Sequence, residues 1–425
     1  MRRSQNRRRS APEFVRFTPK SLSTQPLSSV PKILIDVTRL VYRRLKGKLP
    51  TGIDRVSLEY IRHYAAPGAN PARAVLSLGP FNAVLSAKDS AAVFAAVDRD
   101  TSMTWLALRV IVKAFWWRWL CLDVAGNYLF NTGHMGLENP RYAWALRHFG
   151  ARPVFVISDL IPITHPEYCR PGERERHLTR MRVALSTGSG IVTISQDTLD
   201  VLQRFCTKEA LTLPQAVAAP LAPGLPAIQP GPRPMARPYF VIIGTIEPRK
   251  NHWLLLQLWR QMVEKMGPAA PRLVVIGQRG WECENEVDLL ERCAQLKGEV
   301  IEKPYCSDAE LITYLHHAQA LLFPSFAEGY GMPLTEALAI GVPVIASDLS
   351  VFRETSGEVP EYANPLDGRR WEDLIVEYTR PDSVLREAQL KRIEGFRPTT
   401  WPQHFARVDA LLESLETEVV TKAVL

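Results

Sequence analysis

Metal-ligand spacings are absent from this sequence of 425 residues. Its six cysteines are scattered without a CxxC pair, and no histidines lie near them at the spacing of a zinc site. We therefore expect free thiols, a reducing compartment such as the cytoplasm, and neither a metal nor a cofactor. Asp98-Arg99-Asp100 matches the metal-binding DxD pattern, but it follows an alanine-rich helical run rather than a strand, so we assign it no metal.

A long uncharged hydrophobic run is also missing. The most hydrophobic segment, 105–122, carries four of the ten tryptophans but also Arg109, Lys113 and Arg118. Each of these charges would cost about 2.5 to 3.5 kcal/mol near the centre of a bilayer, so we do not expect the segment to span a membrane. Its composition is typical of a helix at a membrane interface, and burial within the first domain is the alternative.

Net charge is small outside the N-terminus. Residues 1–20 hold seven Arg or Lys against Glu13, which accounts for +6 of the total of +8. No apolar run follows these arginines, so we expect a disordered basic tail over 1–30 rather than a secretory signal. A second basic cluster comprises Arg43, Arg44, Lys46 and Lys48. Such clusters are attracted to anionic lipid and to nucleic acid, and a solvated surface is the alternative.

Strands and helices alternate on both sides of a proline-rich segment. Many of the 33 prolines lie within 213–238, where neither helical nor strand periodicity survives, so we predict an interdomain linker there. Buried strands are predicted at 32–37 and 153–157 before it, and at 239–244, 272–277, 320–323 and 342–346 after it. The pattern predicts two parallel-sheet α/β domains, 31–212 and 239–399, followed by a helical segment over 400–425.

The segment 323–347, FPSFAEGYGMPLTEALAIGVPVIAS, has seven residues between Glu328 and Glu336. A Gly-Tyr-Gly-Met-Pro turn opens a predicted helix, with Pro333 at its first position and Gly341 after its end. Free N–H groups and the positive dipole end at such a helix start suit a diphosphate, and a nearby carboxylate can accept from ribose hydroxyls. The alternative is that Glu336 stabilises the helix start while Glu328 is a solvated loop residue.

A second segment, 238–262, runs from a buried strand through a charged loop into an amphipathic helix that begins near Asn251. Arg249 and Lys250 lie where the strand gives way to the helix. In doubly wound sheets this end of a strand is where ligands bind, and two cations there can hold a diphosphate leaving group. A basic pair that caps a surface loop is the alternative.

These motifs resemble retaining glycosyltransferases of the group 1 family, also called glycosyltransferase family 4, which includes bacterial mannosyl- and glucosyltransferases. The resemblance covers most of the chain. It implies the GT-B fold, in which two Rossmann-like parallel-sheet domains face a central cleft, with an acceptor domain first, a nucleotide-sugar domain second, and a last helix that crosses back. The motifs that carry it are GTIEPRKN (244–251), VVIGQRGW (274–281), the segment 323–347, TSGEVPEYANPLD (355–367), TGIDRV (51–56) and SDLIPITHPEY (158–168).

The resemblance also implies site residues. Glu336 would hold the ribose, and Lys250 with Arg249 would bind the diphosphate. Glu328 would contact the donor sugar together with the turn formed by Gly329, Tyr330, Gly331, Met332 and Pro333. The remaining residues assigned to the donor site are Gly277, Gln278, Arg279 and Gly280 in the base pocket, and Thr245 and Gly52.

The sequence departs from the family pattern at two positions. Many members have Arg where this chain has Thr245, which removes one expected phosphate cation. Relatives often carry His before the Asp of the first-domain motif, where this chain has Ser158 followed by Asp159. We include Asp159 and His165 among the catalytic candidates, and the alternative for His165 is a satisfied loop histidine.

The resulting hypothesis is a metal-independent hexosyltransferase that retains the anomeric configuration. The donor would be a nucleotide-diphosphate sugar with GDP or UDP, mannose being favoured. The acceptor would be a glycan or a lipid-linked glycan in cell-surface polysaccharide synthesis, at the inner membrane face, and we expect no nucleic-acid partner. A sugar-nucleotide epimerase or a phosphorylase on the same fold is one alternative. A non-enzymatic membrane or nucleic-acid adaptor with a degenerate GT-B body is the other.

Overall fold

The structure is a computed structural model that describes residues 32–47, 51–66, 71–78, 81–98, 125–148 and 150–424. The predicted basic tail, Lys48 and the tryptophan-rich run 105–122 lie outside these residues. No helix in the described ranges has the length and apolar character needed to cross a membrane.

The first domain is built on a seven-stranded sheet in the order β3-β2-β1-β4-β5-β6-β7. All strands are parallel except β3, which is antiparallel to β2. The central strands are buried on both faces, as parallel sheets covered by helices require, and Val154 to Ile157 have no exposed surface. The strands are β1 Ile33–Asp36, β2 Arg73–Leu78, β3 Phe81–Val84, β4 Tyr128–Asn131, β5 Arg152–Ile157, β6 Gly190–Thr193 and β7 Gln215–Ala218.

The helices between these strands include two that begin at the cleft described below. In the residues that the structure describes, they are α1 Thr38–Leu45, α2 Gly52–Tyr64, α3 Ala87–Asp98, α4 Pro140–His148, α5 Ile161–Thr164, α6 Glu173–Thr187 and α7 Gln196–Lys208. Thr51 and Asp54 form a capping box at the start of α2, and Ser195 caps α7 by accepting from Thr198 N–H.

The second domain has a six-stranded sheet in the order β10-β9-β8-β11-β12-β13, and all its pairings are parallel. Its strands are β8 Tyr239–Ile243, β9 Arg272–Ile276, β10 Val300–Lys303, β11 Leu321–Phe323, β12 Val344–Ser347 and β13 Glu361–Ala363. Its helices are α8 His252–Met266, α9 Glu284–Arg292, α10 Asp308–His316, α11 Met332–Ala339, α12 Ser350–Ser356, α13 Gly368–Thr379 and α14 Val384–Glu394. The prediction of two parallel-sheet α/β domains is confirmed.

The linker prediction was wrong at its start, because the range 213–238 contains strand β7. This short strand pairs in parallel with β6, and that pairing supplies the backbone hydrogen bonds that make it a strand. Four residues flanked by prolines carry too little periodicity to be recognised in the sequence. Residues 219–238 contain neither helix nor strand.

The last helix, α15 Trp401–Val424, lies against the first sheet rather than the second. Its Phe405, Val408 and Leu411 belong to the same buried cluster as Phe130 and Val156 of the first domain. A ring nitrogen of His404 also bonds the carbonyl oxygen of Ala219 at 3.0 Å.

Candidate functional site

A cleft separates the carboxyl ends of the two sheets. In it, loops that follow β5 and β6 meet the loop between β11 and α11, as Ser195 Oγ donates to Gly329 O at 2.9 Å. Tyr168 of the first domain also stacks on Phe326 of that loop, with ring centroids 5.2 Å apart. The cleft is thus lined by the strand ends where parallel α/β sheets bind ligands.

The turn Gly329–Met332 forms the second-domain wall of the cleft and leads into α11. Gly331 has φ +90°, and a Cβ there would lie 2.6 Å from the Phe352 ring. A Cβ on Gly329 would lie 2.2 Å from Ser158 O, so both positions require glycine. Within the described residues, the backbone N–H groups of Gly329 through Met332 have no hydrogen-bond acceptor. Free N–H groups at a helix start form an anion-binding surface.

Glu328 is the centre of a buried charge cluster beside this turn. Its Oε2 lies 2.7 Å from Arg249 Nη1, and its Oε1 accepts from Lys250 Nζ. Burial opposes ionisation of Glu328, but the charges of Arg249 and Lys250 outweigh burial and lower its pKa to about 2. Burial acts in the opposite sense on the ammonium and lowers the pKa of Lys250. Glu328 is therefore not a solvated loop residue.

Arg249 and Lys250 differ in how many of their side-chain N–H groups remain available for a ligand. Arg249 donates to Glu247 Oε1 at 2.7 Å and to Ala327 O at 2.8 Å, in addition to its contact with Glu328. Lys250 has three N–H donors and gives one to Glu328. The Lys250 ammonium therefore has the larger remaining capacity to bind an anion.

Glu336 lies one turn into α11 and faces the first domain. Its Oε1 accepts from Gly224 N–H at 3.1 Å and lies 3.4 Å from Arg55 Nη1. Arg55 also binds Asp308 Oδ1 at 3.0 Å. Burial raises the pKa of Glu336, with Arg55 acting against this effect. The carboxylate thus contacts both the linker and the first domain.

Asp159 and His165 of the first domain share a cavity of about 220 Å³ with Glu328. Asp159 Oδ1 accepts from Ile161 N–H at 3.0 Å. His165 Nδ1 lies 2.9 Å from Thr164 Oγ1, and its ring stacks on Tyr168. The structure therefore brings these predicted residues together in one space between the domains.

Other predicted residues lie at the ends of β8 and β9. A Cβ on Gly277 would lie 1.9 Å from Gly244 O, and one on Gly280 would lie 2.6 Å from Thr245 Cγ2, so this segment packs closely on Thr245. Gln278 O accepts from Ile246 N–H at 2.9 Å. The Arg279 side chain instead binds Glu302 at 2.9 Å and Glu291 on the surface. The Arg279 side chain therefore forms ion pairs with surface carboxylates, contrary to its predicted place in the base pocket.

Gly52 starts α2 on the opposite wall, where a Cβ would lie 3.4 Å from Met332 Sδ. Several cleft residues were not predicted from the sequence, namely Arg55, Ser195, Thr198, Gly224 and Glu354. Arg55 lies in the TGIDRV motif, and the spacing of Ser195 before Thr198 is that of a helix cap. Those two signals were available in the sequence.

Two buried histidines, one after β4 and one on α6, contact the carboxyl end of β5. His134 Nε2 lies 2.7 Å from Val156 O, and His177 Nε2 lies 3.2 Å from Asp159 O. Burial lowers the pKa of both, that of His134 to about 3. Both imidazoles are therefore neutral near pH 7. In the described part of the chain, no three His, Cys, Asp or Glu side chains cluster as metal ligands would.

Comparisons with known proteins agree with this arrangement. Residues 227–358 match the family model described as "Glycosyl transferases group 1". The O-antigen chain mannosyltransferase B of Escherichia coli is 28% identical over 288 residues, 62% of this chain and 75% of that protein. The serotype-specific mannosyltransferase WbdA of Escherichia coli is 26% identical over 297 residues, 64% of this chain but 35% of that protein.

Two solved structures share the fold over nearly the whole chain. The sucrose-phosphate synthase of Thermosynechococcus elongatus has a TM-score of 0.61 at 16% identity and covers 92% of this chain and 100% of its own. Anabaena HepE in complex with UDP-glucose has a TM-score of 0.61 at 13% identity and covers 91% of this chain and 99% of its own. At these identities the likeness concerns the fold alone.

Proposed function

Because the chain is a glycosyltransferase with the GT-B fold, we propose that it transfers a hexosyl group from a nucleotide-diphosphate sugar with retention of anomeric configuration. The observation that carries the proposal is the turn Gly329–Met332, whose free N–H groups lie beside the Glu328, Arg249 and Lys250 cluster. The O-antigen mannosyltransferases among its relatives favour mannose, with GDP-mannose as donor, and a glycan or lipid-linked acceptor in cell-surface polysaccharide synthesis.

The proposed chemistry begins with charge separation at the anomeric carbon. The bond from that carbon to the diphosphate oxygen breaks, and the departing phosphate gains negative charge. Lys250 and the turn N–H groups are the donors that would stabilise this charge, with Arg249 holding Glu328 in place. Because side chains and backbone supply the positive charge, the proposed reaction needs no metal ion.

The acceptor hydroxyl would attack on the face that the phosphate leaves. The new bond joins the acceptor oxygen to the anomeric carbon, and the acceptor proton moves to the leaving phosphate oxygen. This front-face course needs no covalent nucleophile from the protein. Glu328 is poorly suited to that role because its two oxygens are already bound to cations.

A thermal-shift screen tests the donor proposal directly. The purified protein would be heated with UDP, GDP, ADP and CMP and with their common sugar conjugates, each with and without EDTA. A ligand at 100 times its Kd adds about 2.7 kcal/mol of stability. We expect one nucleotide family to raise Tm equally in both conditions, and Glu336→Ala to abolish the rise.

Two results would contradict the proposal. Loss of the shift in EDTA would contradict metal-independent donor binding. No response to any nucleotide would favour the adaptor, which the departures at Thr245 and Ser158 also allow. In that case, salt-sensitive sedimentation with anionic vesicles would be the result expected.

A further inference from the structure

The start of helix α7 in the first domain is bound to the donor turn of the second. Ser195 Oγ accepts from Thr198 N–H at 3.1 Å and donates to Gly329 O at 2.9 Å. Thr198 Oγ1 lies 3.3 Å from the same carbonyl oxygen. Both hydroxyl side chains are buried. A carbonyl of the turn therefore receives hydrogen bonds from the other domain.

A second contact joins the same helix start to α12. The Glu354 carboxylate accepts from the N–H groups of Gln196 at 2.7 Å and Asp197 at 2.8 Å. These are two of the N–H groups that have no partner inside a helix, and a negative charge is favourable beside them. Ser350 Oγ also donates to Asp197 Oδ1. A second-domain carboxylate thus caps a first-domain helix.

The contact with the Gly329 carbonyl has a geometric consequence for the turn. The peptide unit between Gly329 and Tyr330 is planar and trans, so its C=O and N–H point in opposite directions. Fixing the carbonyl of Gly329 therefore fixes the direction of Tyr330 N–H. This N–H is one of the free donors of the turn.

Two further contacts restrict the turn. Tyr330 Oη donates to Leu221 O, and Gly329 packs closely on Ser158 O. All of these contacts join residues of different domains or of the linker. Opening of the cleft would break the contacts with Ser195, Thr198 and Glu354 together.

We infer that Ser195, Thr198 and Glu354 are positioning residues that hold the cleft closed and aim the donor-binding N–H groups of the turn. This inference rests on the proposed function for its effect on turnover. Besides these N–H groups, the proposed nucleotide contacts are Glu336 and Lys250, which lie within the second domain. Loss of the positioning contacts should therefore lower kcat more than it weakens nucleotide binding.

The test uses Thr198→Val and Glu354→Gln, singly and combined, in the full chain. Valine keeps the shape of threonine but loses the hydroxyl, and glutamine keeps one acceptor oxygen of the carboxylate. One hydrogen bond contributes about 1 kcal/mol, so we expect kcat to fall about 5-fold to 10-fold in each single variant and further in the pair. The Kd for GDP and UDP, measured by calorimetry, should rise by a smaller factor than kcat falls, because Glu336 and Lys250 keep their places.

Two further variants separate positioning from general stability. Ser383→Ala removes the cap of α14, where Ser383 Oγ accepts from Arg386 N–H at 3.2 Å, away from the cleft. It should lower Tm as other lost caps do, with kcat unchanged. Thr198→Ser restores the hydroxyl and should recover most of the turnover. Small-angle scattering of the double variant should give a larger radius of gyration than the wild type or Ser383→Ala.

A double variant with wild-type turnover and wild-type dimensions would overturn the inference. An equal loss of kcat in Ser383→Ala would overturn it as well, since lost stability would then explain the effect. Failure of the proposed function is distinguishable, because the wild type would then bind neither GDP nor UDP. Scattering alone would in that case decide whether these residues close the cleft.

Discussion

Glu328 and Glu336 are both buried in the cleft, but their surroundings differ. Two cations lie against Glu328 and lower its pKa to about 2. Glu336 has one backbone donor and the more distant Arg55 guanidinium, and burial raises its pKa. Glu328 thus belongs to a fixed frame of charges, whereas Glu336 keeps acceptor capacity for a ligand's hydroxyl groups. Two glutamates of one motif therefore differ in role, since Glu328 neutralises buried cations and Glu336 can accept hydrogen bonds from a ligand.

The largest effect should follow removal of Glu328. In Glu328→Ala, Arg249 and Lys250 remain buried with one fewer counter-charge, and breaking a buried pair in this way costs about 3 to 5 kcal/mol. Urea unfolding at pH 7 measures the loss. The matched control is Glu372→Ala, which removes the partner of the more exposed Lys265 and should cost about 1 kcal/mol or less. Equal losses in the two variants would show that the Glu328 cluster contributes no more than a surface pair.

Lys250→Ala tests whether the cluster also serves the reaction. Removing one charge-assisted contact to a developing charge costs about 2 to 4 kcal/mol, or roughly 30-fold to 1000-fold in turnover. Steady-state rates with the donor found in the nucleotide screen measure the loss. The control is Lys265→Ala, which changes an exposed lysine on α8. Near-normal turnover in Lys250→Ala would remove this residue from the proposed site.

The pH dependence of stability should differ between the two carboxylates in sign. The pKa of Glu328 is lowered on folding, so its contribution to stability is present above its ordinary pKa of 4.5 and is lost as the pH falls toward about 2. Chemical unfolding between pH 2 and 7 should therefore show a smaller pH slope in Glu328→Gln than in the wild type. Identical slopes would contradict the lowered pKa.

Glu336→Gln should have the smallest effect on stability, and in the opposite direction. Because burial raises the pKa of Glu336, ionisation above pH 4.5 weakens the folded state. At each pH we compare the Tm of the amide variant with that of the wild type. We expect this difference to be slightly more in favour of the variant at pH 7 than at pH 4. Nucleotide affinity should nevertheless fall, because an amide oxygen is a weaker acceptor for ribose hydroxyls. A Tm below that of the wild type at pH 7 would show that the ionised Glu336, like Glu328, stabilises the fold.

The sequence predicts the parts of this molecule that depend on nearby residues. Runs of buried residues predicted the central strands, and the turn before α11 was visible in its glycines and proline. The proximity of Arg249 and Lys250 to Glu328 could be inferred only from the resemblance to a family, because Lys250 and Glu328 are 78 positions apart in the sequence. Neighbouring strands β8 and β11 bring these segments together.

Contacts between residues far apart in the sequence could not be predicted from local sequence patterns. Arg55 meets Glu336 across 281 positions, and Glu354 meets Gln196 across 158. No local pattern records which loops face each other across a cleft. Arg279 shows the converse, since its place in a family motif predicted a ligand contact while its side chain binds Glu302 and Glu291.

The position of α15 has a consequence for how the domains are connected. The chain passes from the first domain to the second through residues 219–238 and returns through 395–400 before α15 packs on the first sheet. In covalent terms the second domain is an insertion in the first. A proteolytic cut within 395–400 leaves the two domains covalently joined by the linker, whereas after a cut within 219–238 the packing of α15 on the first sheet still holds them together. Two adjacent tethers also limit twisting of one domain against the other.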